Sequence, residues 1–336
     1  MCRHASALSK LVLLPRSDVN AGPLASLSPQ AKHKNAVSTS KQAGFTLVEL
    51  VMVIVITGII GGMVAVFIRS PVQQYTDIAR RAEMTDIADT AIRRISRDLR
   101  LAVPNSVRVP STTGSTYIEF LPSITGGRYR ANSVGGNGSC AAAGEIGDEL
   151  SFTLADRCFE IIGPDISFST GDQIVIGSTQ ADGNPPYQDP TSAACGTAAS
   201  ICIRRPVAVA GTGVQERVIM DSLFALPAFA QLPSQHFEVV PGDQQAVTYS
   251  CENVGGATDG TGTLMRYWQY GFNDIQSAPP FVGGYSARLA DNISFCSIDY
   301  NDNVYSRNGL VSIRLTITRG GENISLYSET HINNSP

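Results

Sequence analysis

Two residues at the head of the longest apolar run are placed to do chemistry. Gly44 closes Lys41-Gln42-Ala43-Gly44, a small residue on a charged flank, and Glu49 is the only charge among the 24 residues from Phe45 to Ile68. The first has the character of a processing site. Ordinary secretory signals are cut after their apolar core; a cut after Gly44 falls before it, so the product keeps the apolar run. The second is a carboxylate in a segment that spans about 36 Å as a helix, enough to cross a bilayer. Burying an acid there costs on the order of 3 kcal/mol, which marks Glu49 for function. The structural alternative is an acid favoured by the helix dipole, worth under about 1 kcal/mol when exposed.

Other candidate chemistry is sparse. Cys2 stands apart, while Cys140, Cys158, Cys195, Cys202, Cys251 and Cys296 form an even set downstream of an export signal, the pattern of disulfides in an oxidising compartment. Proximity ranks Cys195 with Cys202 and Cys140 with Cys158, leaving Cys251 with Cys296, although many connectivities are open and free buried thiols are the alternative. With no CxxC pair and four histidines in the chain, no metal site and no cofactor is expected. His236 and His331 lack a placed Ser or Cys nucleophile motif, so no enzyme is expected. Asp299-Tyr300-Asn301-Asp302-Asn303 alternates like a calcium loop, but Val304 stands where glycine is needed and Leu310 where the closing glutamate belongs; it reads as a polar turn. Gly135-Gly136-Asn137-Gly138 lacks the strand and helix context of a phosphate loop.

The elements that must position these residues follow from periodicity. After the apolar run, Pro71 is expected to kink or interrupt the helix. Apolar residues then return at helical spacing: Val72, Tyr75, Ile78, Ala82, Ala88, Ile92, Ile95 and Leu99. The opposite face carries Arg80, Arg81, Glu83, Asp86, Asp89, Arg93, Arg94, Arg97 and Arg100, with Asp89 and Arg93 spaced for an ion pair. The arginines from 93 to 100 read as a solvated face, anionic lipid or a partner being the alternative. Beyond Pro104 short alternating runs predict strands at 117–121, 149–154, 172–176, 201–205, 245–251, 263–270, 292–300, 310–318 and 323–331, the last two joined at Gly320-Gly321. Loops are expected at 126–147, 177–199 and 253–262. The fold class is therefore α+β: a long N-terminal helix, transmembrane over 45–68 and amphipathic over 69–103, packed on an antiparallel sheet domain over 104–336, behind a leader of residues 1–44.

Formal charge is −4 over 336 residues, but every lysine lies before Gly44, leaving 19 arginines against 28 acids beyond it. So acidic a body argues against nonspecific nucleic-acid binding. The same lack of lysine rules out pilins cross-linked through lysine isopeptide bonds.

Gly44-Phe45-Thr46-Leu47-Val48-Glu49-Leu50 followed by an apolar helix resembles the leader signal of type IV prepilins and type II secretion pseudopilins. The resemblance implies a membrane-embedded prepilin peptidase that cuts after Gly44 and N-methylates Phe45. It also implies a partner for Glu49, the Phe45 ammonium of its own or an adjacent subunit. Arg94–Ala102, the stretch Thr248–Tyr267 and the ending His331-Ile332-Asn333-Asn334-Ser335-Pro336 are similar to minor pilins, most of all the O-type biogenesis protein of the mannose-sensitive haemagglutinin (MSHA) pilus. Implied partners are other pilins and minor pilins and the inner-membrane assembly platform; implied localisation is single-pass in the inner membrane with a periplasmic domain, then the pilus. A leader of 44 residues is long for the family, which points to initiation near Val37, a genuine long leader being the alternative. A J-type pseudopilin and a single-pass periplasmic ligand-binding protein are the rival readings.

Overall fold

Thr46 starts the first element. Its Oγ1 accepts the Glu49 N–H at 3.2 Å, the N-cap of helix α1 (Leu47–Arg100) in a computed structural model that describes residues 44–110, 116–140, 147–179, 185–190, 202–208, 214–301 and 308–336. Leader residues 1–43, Cys2, Cys195 and residues 302–303 lie outside the described residues. The valines and isoleucines of 48–68 are poor helix formers in water; in hydrocarbon a helix satisfies its backbone groups internally, which overrides that preference. Pro71 does not interrupt the helix: α1 runs through it. An interior proline costs about 3 kcal/mol in a lost hydrogen bond and a ring clash, and the cooperative helical turns on both sides carry the helix past it. Leu101 and Ala102 then donate to the carbonyls of Asp98 and Leu99, a tight last turn before Pro104, so the helix ends earlier than residue 103.

The chain divides within α1 into two compact units, Met1–Val64 and Ala65–Pro336. In the first, described residues 44–64 are a bare, exposed helix with its capping residues. The second holds fourteen strands among the described residues: β1 (Tyr117–Phe120), β2 (Thr125–Tyr129), β3 (Asp156–Ile162), β4 (Ile166–Ser167), β5 (Gln173–Ile176), β6 (Arg204–Pro206), β7 (Val214–Gln215), β8 (Arg217–Phe224), β9 (His236–Val240), β10 (Val247–Glu252), β11 (Gly262–Trp268), β12 (Tyr285–Asn301), β13 (Asn308–Arg319) and β14 (Glu322–Asn333). They form an antiparallel sheet β1-β10-β11-β12-β13-β14, a second antiparallel sheet β6-β5-β9-β2-β3-β8, and a ribbon β4-β7.

Each sheet has its own core. Met84, Ala88, Ala91, Ile92, Ile95 and Leu99 recur every three or four residues and bury one stripe of α1 on the first sheet, against Val311, Ile313, Leu315 and Ile317 of β13. The expected stripe is thus only partly used. Val72, Tyr75 and Ile78 are exposed, and contact begins at Met84. Just before it, charges tie α1 to the β13-β14 tip: Arg81 grips both carboxylate oxygens of Glu322 at 2.9 and 3.2 Å, and Arg319 reaches Glu83 at 3.1 Å. The Arg81 hydrogen bond holds the Glu322 carboxyl below its ordinary range. Gly320 and Gly321 (φ 62° and 77°) occupy the left-handed region that a two-residue type I′ turn requires, and Arg319 pairs with Glu322 across it.

A buried polar network fastens the segment leaving α1. Arg108 and Glu119 form an ion pair at 2.7 Å with side chains 5% and 1% exposed, and Arg108 lies over the Tyr187 ring at 3.6 Å. Arg108 also donates to the carbonyls of Asn273 and Asp274, and Tyr270 donates to Glu119 at 2.8 Å. Burial pushes the Glu119 carboxyl above its ordinary range, with Arg108 and Tyr270 holding it back. Asn105 (φ 56°) donates to the carbonyls of Ser178 and Asn334, binding the helix exit to the second sheet and to the C-terminal tail.

Disulfides join Cys140 to Cys158 and Cys251 to Cys296, and Cys202 is also disulfide-bonded. Cys251 and Cys296 lie on β10 and β12, on either side of β11. Replacing both by serine is expected to lower stability by about 2–4 kcal/mol, read as a lower urea midpoint for the oxidised protein.

Several strand expectations need correction. Residues 149–154 are not a strand: Ser151, with Asp156 accepting its N–H at 2.8 Å, organises a turn there, and the strand follows as β3. Strands β2, β4, β7, β8 and β9 have no counterpart in the expected set, and β2 falls largely inside an expected loop. Of the expected strand at 201–205, residue 201 lies outside the described residues and Cys202 and Ile203 precede β6. Asp299–Asn301 end β12 rather than forming a turn.

Candidate functional site

The segment from Gly44 to Ile68 is the candidate site. Gly44 precedes the helix in open space: a side chain built there would meet nothing within 4 Å. Phe45 follows, 79% exposed, then the capping Thr46. Thr46 is a residue that the sequence reading overlooked, although its spacing to Glu49 is the Thr-x-x-Glu signature of a capping box. In that motif the threonine hydroxyl takes the acid's backbone N–H, as it does here; the Glu49 side chain is exposed on the first helical turn.

From Leu47 to Ile68 every large apolar side chain is exposed. Exposed apolar surface of this extent marks a surface that another phase or another protein covers. By length and composition α1 is able to cross a membrane, and it is the one such helix among the described residues. Gly58, Gly61 and Gly62 would each accept a Cβ without contact, so nothing within the chain requires glycine there. Close approach by a neighbouring helix is one use for such positions.

The remaining expected residues are dispersed. Cys158 lies on β3 of the second sheet and Cys140 is bonded to it from the neighbouring loop, where Asp148 accepts the N–H groups of Gly138 and Cys140 and fixes the loop after Gly135. Cys251 and Cys296 lie in the first core. His236 and His331 sit on separate strands, β9 and β14. Among the described residues no group of three or more His, Cys, Asp or Glu is placed to hold a metal ion.

Comparison with known proteins bears on the same segment. Residues 39–65 match the prokaryotic N-terminal methylation motif, which supports a type IV pilin-like signal at this end of the chain. No curated protein and no solved structure matches the chain. The apolar helix and the motif together fit a membrane-anchored protein.

Proposed function

We propose that the chain is a minor pilin of a type IV pilus of the MSHA type, with a structural rather than catalytic role. Prepilin peptidase removes the leader after Gly44 and methylates the Phe45 nitrogen; α1 stays in the inner membrane over about residues 45–68, and residues 104–336 stand in the periplasm. The chain then joins other pilins and minor pilins on the assembly platform and takes part in initiating the filament. The observation that carries this reading is the coincidence of the methylation motif with the exposed apolar part of α1 from Leu47 to Ile68. Shape adds support: a body with two sheets is easier to seat at a filament end than in a tightly packed shaft.

In this reading Glu49 supplies the negative partner for the Phe45 ammonium of a neighbouring subunit. Away from water such a pair aligns two helices along their axes, because a register error leaves both charges unpaired.

The test is N-terminal mass analysis of protein extracted from membranes of cells with and without prepilin peptidase. The expected product begins at Phe45 and is one methyl group heavier only where the peptidase is present. Mature material that still begins upstream of Phe45 in peptidase-containing cells counts against the proposal.

A further inference from the structure

The outer edge of the first sheet is open. Among the described residues no strand pairs with β14 on the side away from β13. Because Arg319 and Glu322 close a two-residue turn, the even-numbered residues of β14 bond to β13. Asn323, Ser325, Tyr327, Glu329 and His331 therefore direct their backbone N–H and C=O groups outward. Soluble proteins usually blunt or cover so long an edge.

A groove of about 650 Å³ runs beside this edge, between β14 and α1. Its floor is Ile92 and Leu326, and Leu101 stands exposed at one end. The wall on α1 carries Arg93, Arg97 and Arg100 against one acid in the groove, Asp89, which Arg93 engages at 2.6 Å; Arg97 lies 3.6 Å from Asp98 beside the groove, and the wall keeps a net positive charge. The stripe from Asp89 to Arg100 is about 16 Å long, the length of about five strand residues. A cationic trough in a body where acids outnumber arginines is a local feature, and its chemistry selects the occupant.

We propose that the β14 edge and the Arg93-Arg97-Arg100 wall form a docking site for an extended acidic segment of another protein, which adds to the first sheet as a further strand. Its backbone meets the outward groups of β14. Its acids, on alternate residues, face the arginines, and the residues between them lie beside Tyr327 and Ser325. Main-chain pairing supplies affinity, and the arginines supply the choice of partner. The proposal does not depend on cleavage at Gly44.

The test uses the full chain in detergent micelles and two fluorescent ten-residue peptides, one alternating glutamate with threonine, the other lysine with threonine. The glutamate peptide is expected to bind about tenfold more tightly at low salt, and to slow amide hydrogen exchange selectively at residues 323, 325, 327 and 329. Arg97→Glu with Arg100→Glu reverses the preference between the peptides, and Arg97→Glu alone weakens it, whereas Arg94→Glu, the same single charge reversal outside this groove, leaves it in place. Tyr327→Pro removes an outward N–H that β13 does not use and abolishes binding of the glutamate peptide. Equal binding of both peptides, protection confined to other strands, or unchanged preference in the charge-reversed variant overturns the proposal. So does protection of the same amides that grows with protein concentration and needs no peptide, which assigns the edge to a second copy. The mass analysis of the N-terminus is independent of every one of these outcomes.

Discussion

If the chain is a pilin as proposed, Glu49→Gln is expected to enter the membrane at least as readily as the natural chain and yet to be incorporated into filaments at least about tenfold less. The two effects have opposite signs because they arise from different environments. Removing the charge relieves a burial cost on the order of 3 kcal/mol, so the precursor inserts at least as well. In the proposed assembly, loss of the charge also deprives a neighbour's ammonium of its partner in a water-poor setting, where an uncompensated ion is costly; about 1.4 kcal/mol of that cost is enough for the tenfold loss. Glutamine is the informative substitution because it preserves the other arrangement in which residue 49 takes part. Thr46 Oγ1 accepts the backbone N–H of residue 49, which survives any side-chain change, and glutamine serves a capping box as glutamate does. The measurements are membrane-fraction yield, N-terminal mass and the amount of the chain in sheared filaments. Incorporation equal to that of the natural chain, with normal cleavage, would falsify the assembly role.

The second large effect is on stability. Arg108→Ala or Glu119→Ala leaves one buried charge without its partner and is expected to destabilise the globular unit by about 3–5 kcal/mol, measured by urea unfolding in detergent. The double variant Arg108→Met with Glu119→Leu should lose much less than the sum, since no isolated ion is left and the volumes are nearly kept. Glu119→Gln separates charge from shape. Burial raises the folded-state value of Glu119 above its ordinary one, so the proton is held more firmly in the folded chain. The stability that this contributes is complete below the ordinary carboxylate value and is lost as pH rises through the raised one. The natural chain should therefore lose stability over that interval relative to Glu119→Gln. A flat difference between the two across the interval would show that Glu119 is not held there.

Helix α1, the antiparallel strands of the first sheet and the β13-β14 turn were legible because each depends on local pattern: an uninterrupted apolar run, the alternation Val311-Ile313-Leu315-Ile317, and paired glycines. The segment Gly44 to Glu49 was legible for the same reason, its signal being charge, small residue and acid in fixed order. Pattern failed where longer-range forces decide. Gly126 and Gly127 read as loop, yet they lie in β2, paired with β9, where close neighbours account for glycine: a side chain at Gly126 would stand 2.6 Å from the Phe237 carbonyl, and one at Gly127 would stand 3.0 Å from the Phe237 ring. Arg108 and Glu119 gave no periodic signal because their partner Tyr187 is far away in sequence. The exposed Val72, Tyr75 and Ile78 have the spacing of a core stripe, and only the position of the sheet shows that packing begins later, at Met84. The open edge of β14 was invisible for a related reason: a strand does not announce which of its sides lacks a neighbour.

The Cys251–Cys296 bond has a mechanical consequence. It spans β11 within the sheet on which α1 rests, and its ends are 45 positions apart. Under tension between the membrane anchor and the rest of the domain, the chain between those cysteines cannot pay out, which withholds about 150 Å of contour length at roughly 3.3 Å per residue. A domain stapled in this way transmits a pull as a short, stiff link, and only reduction would let it stretch as a tether.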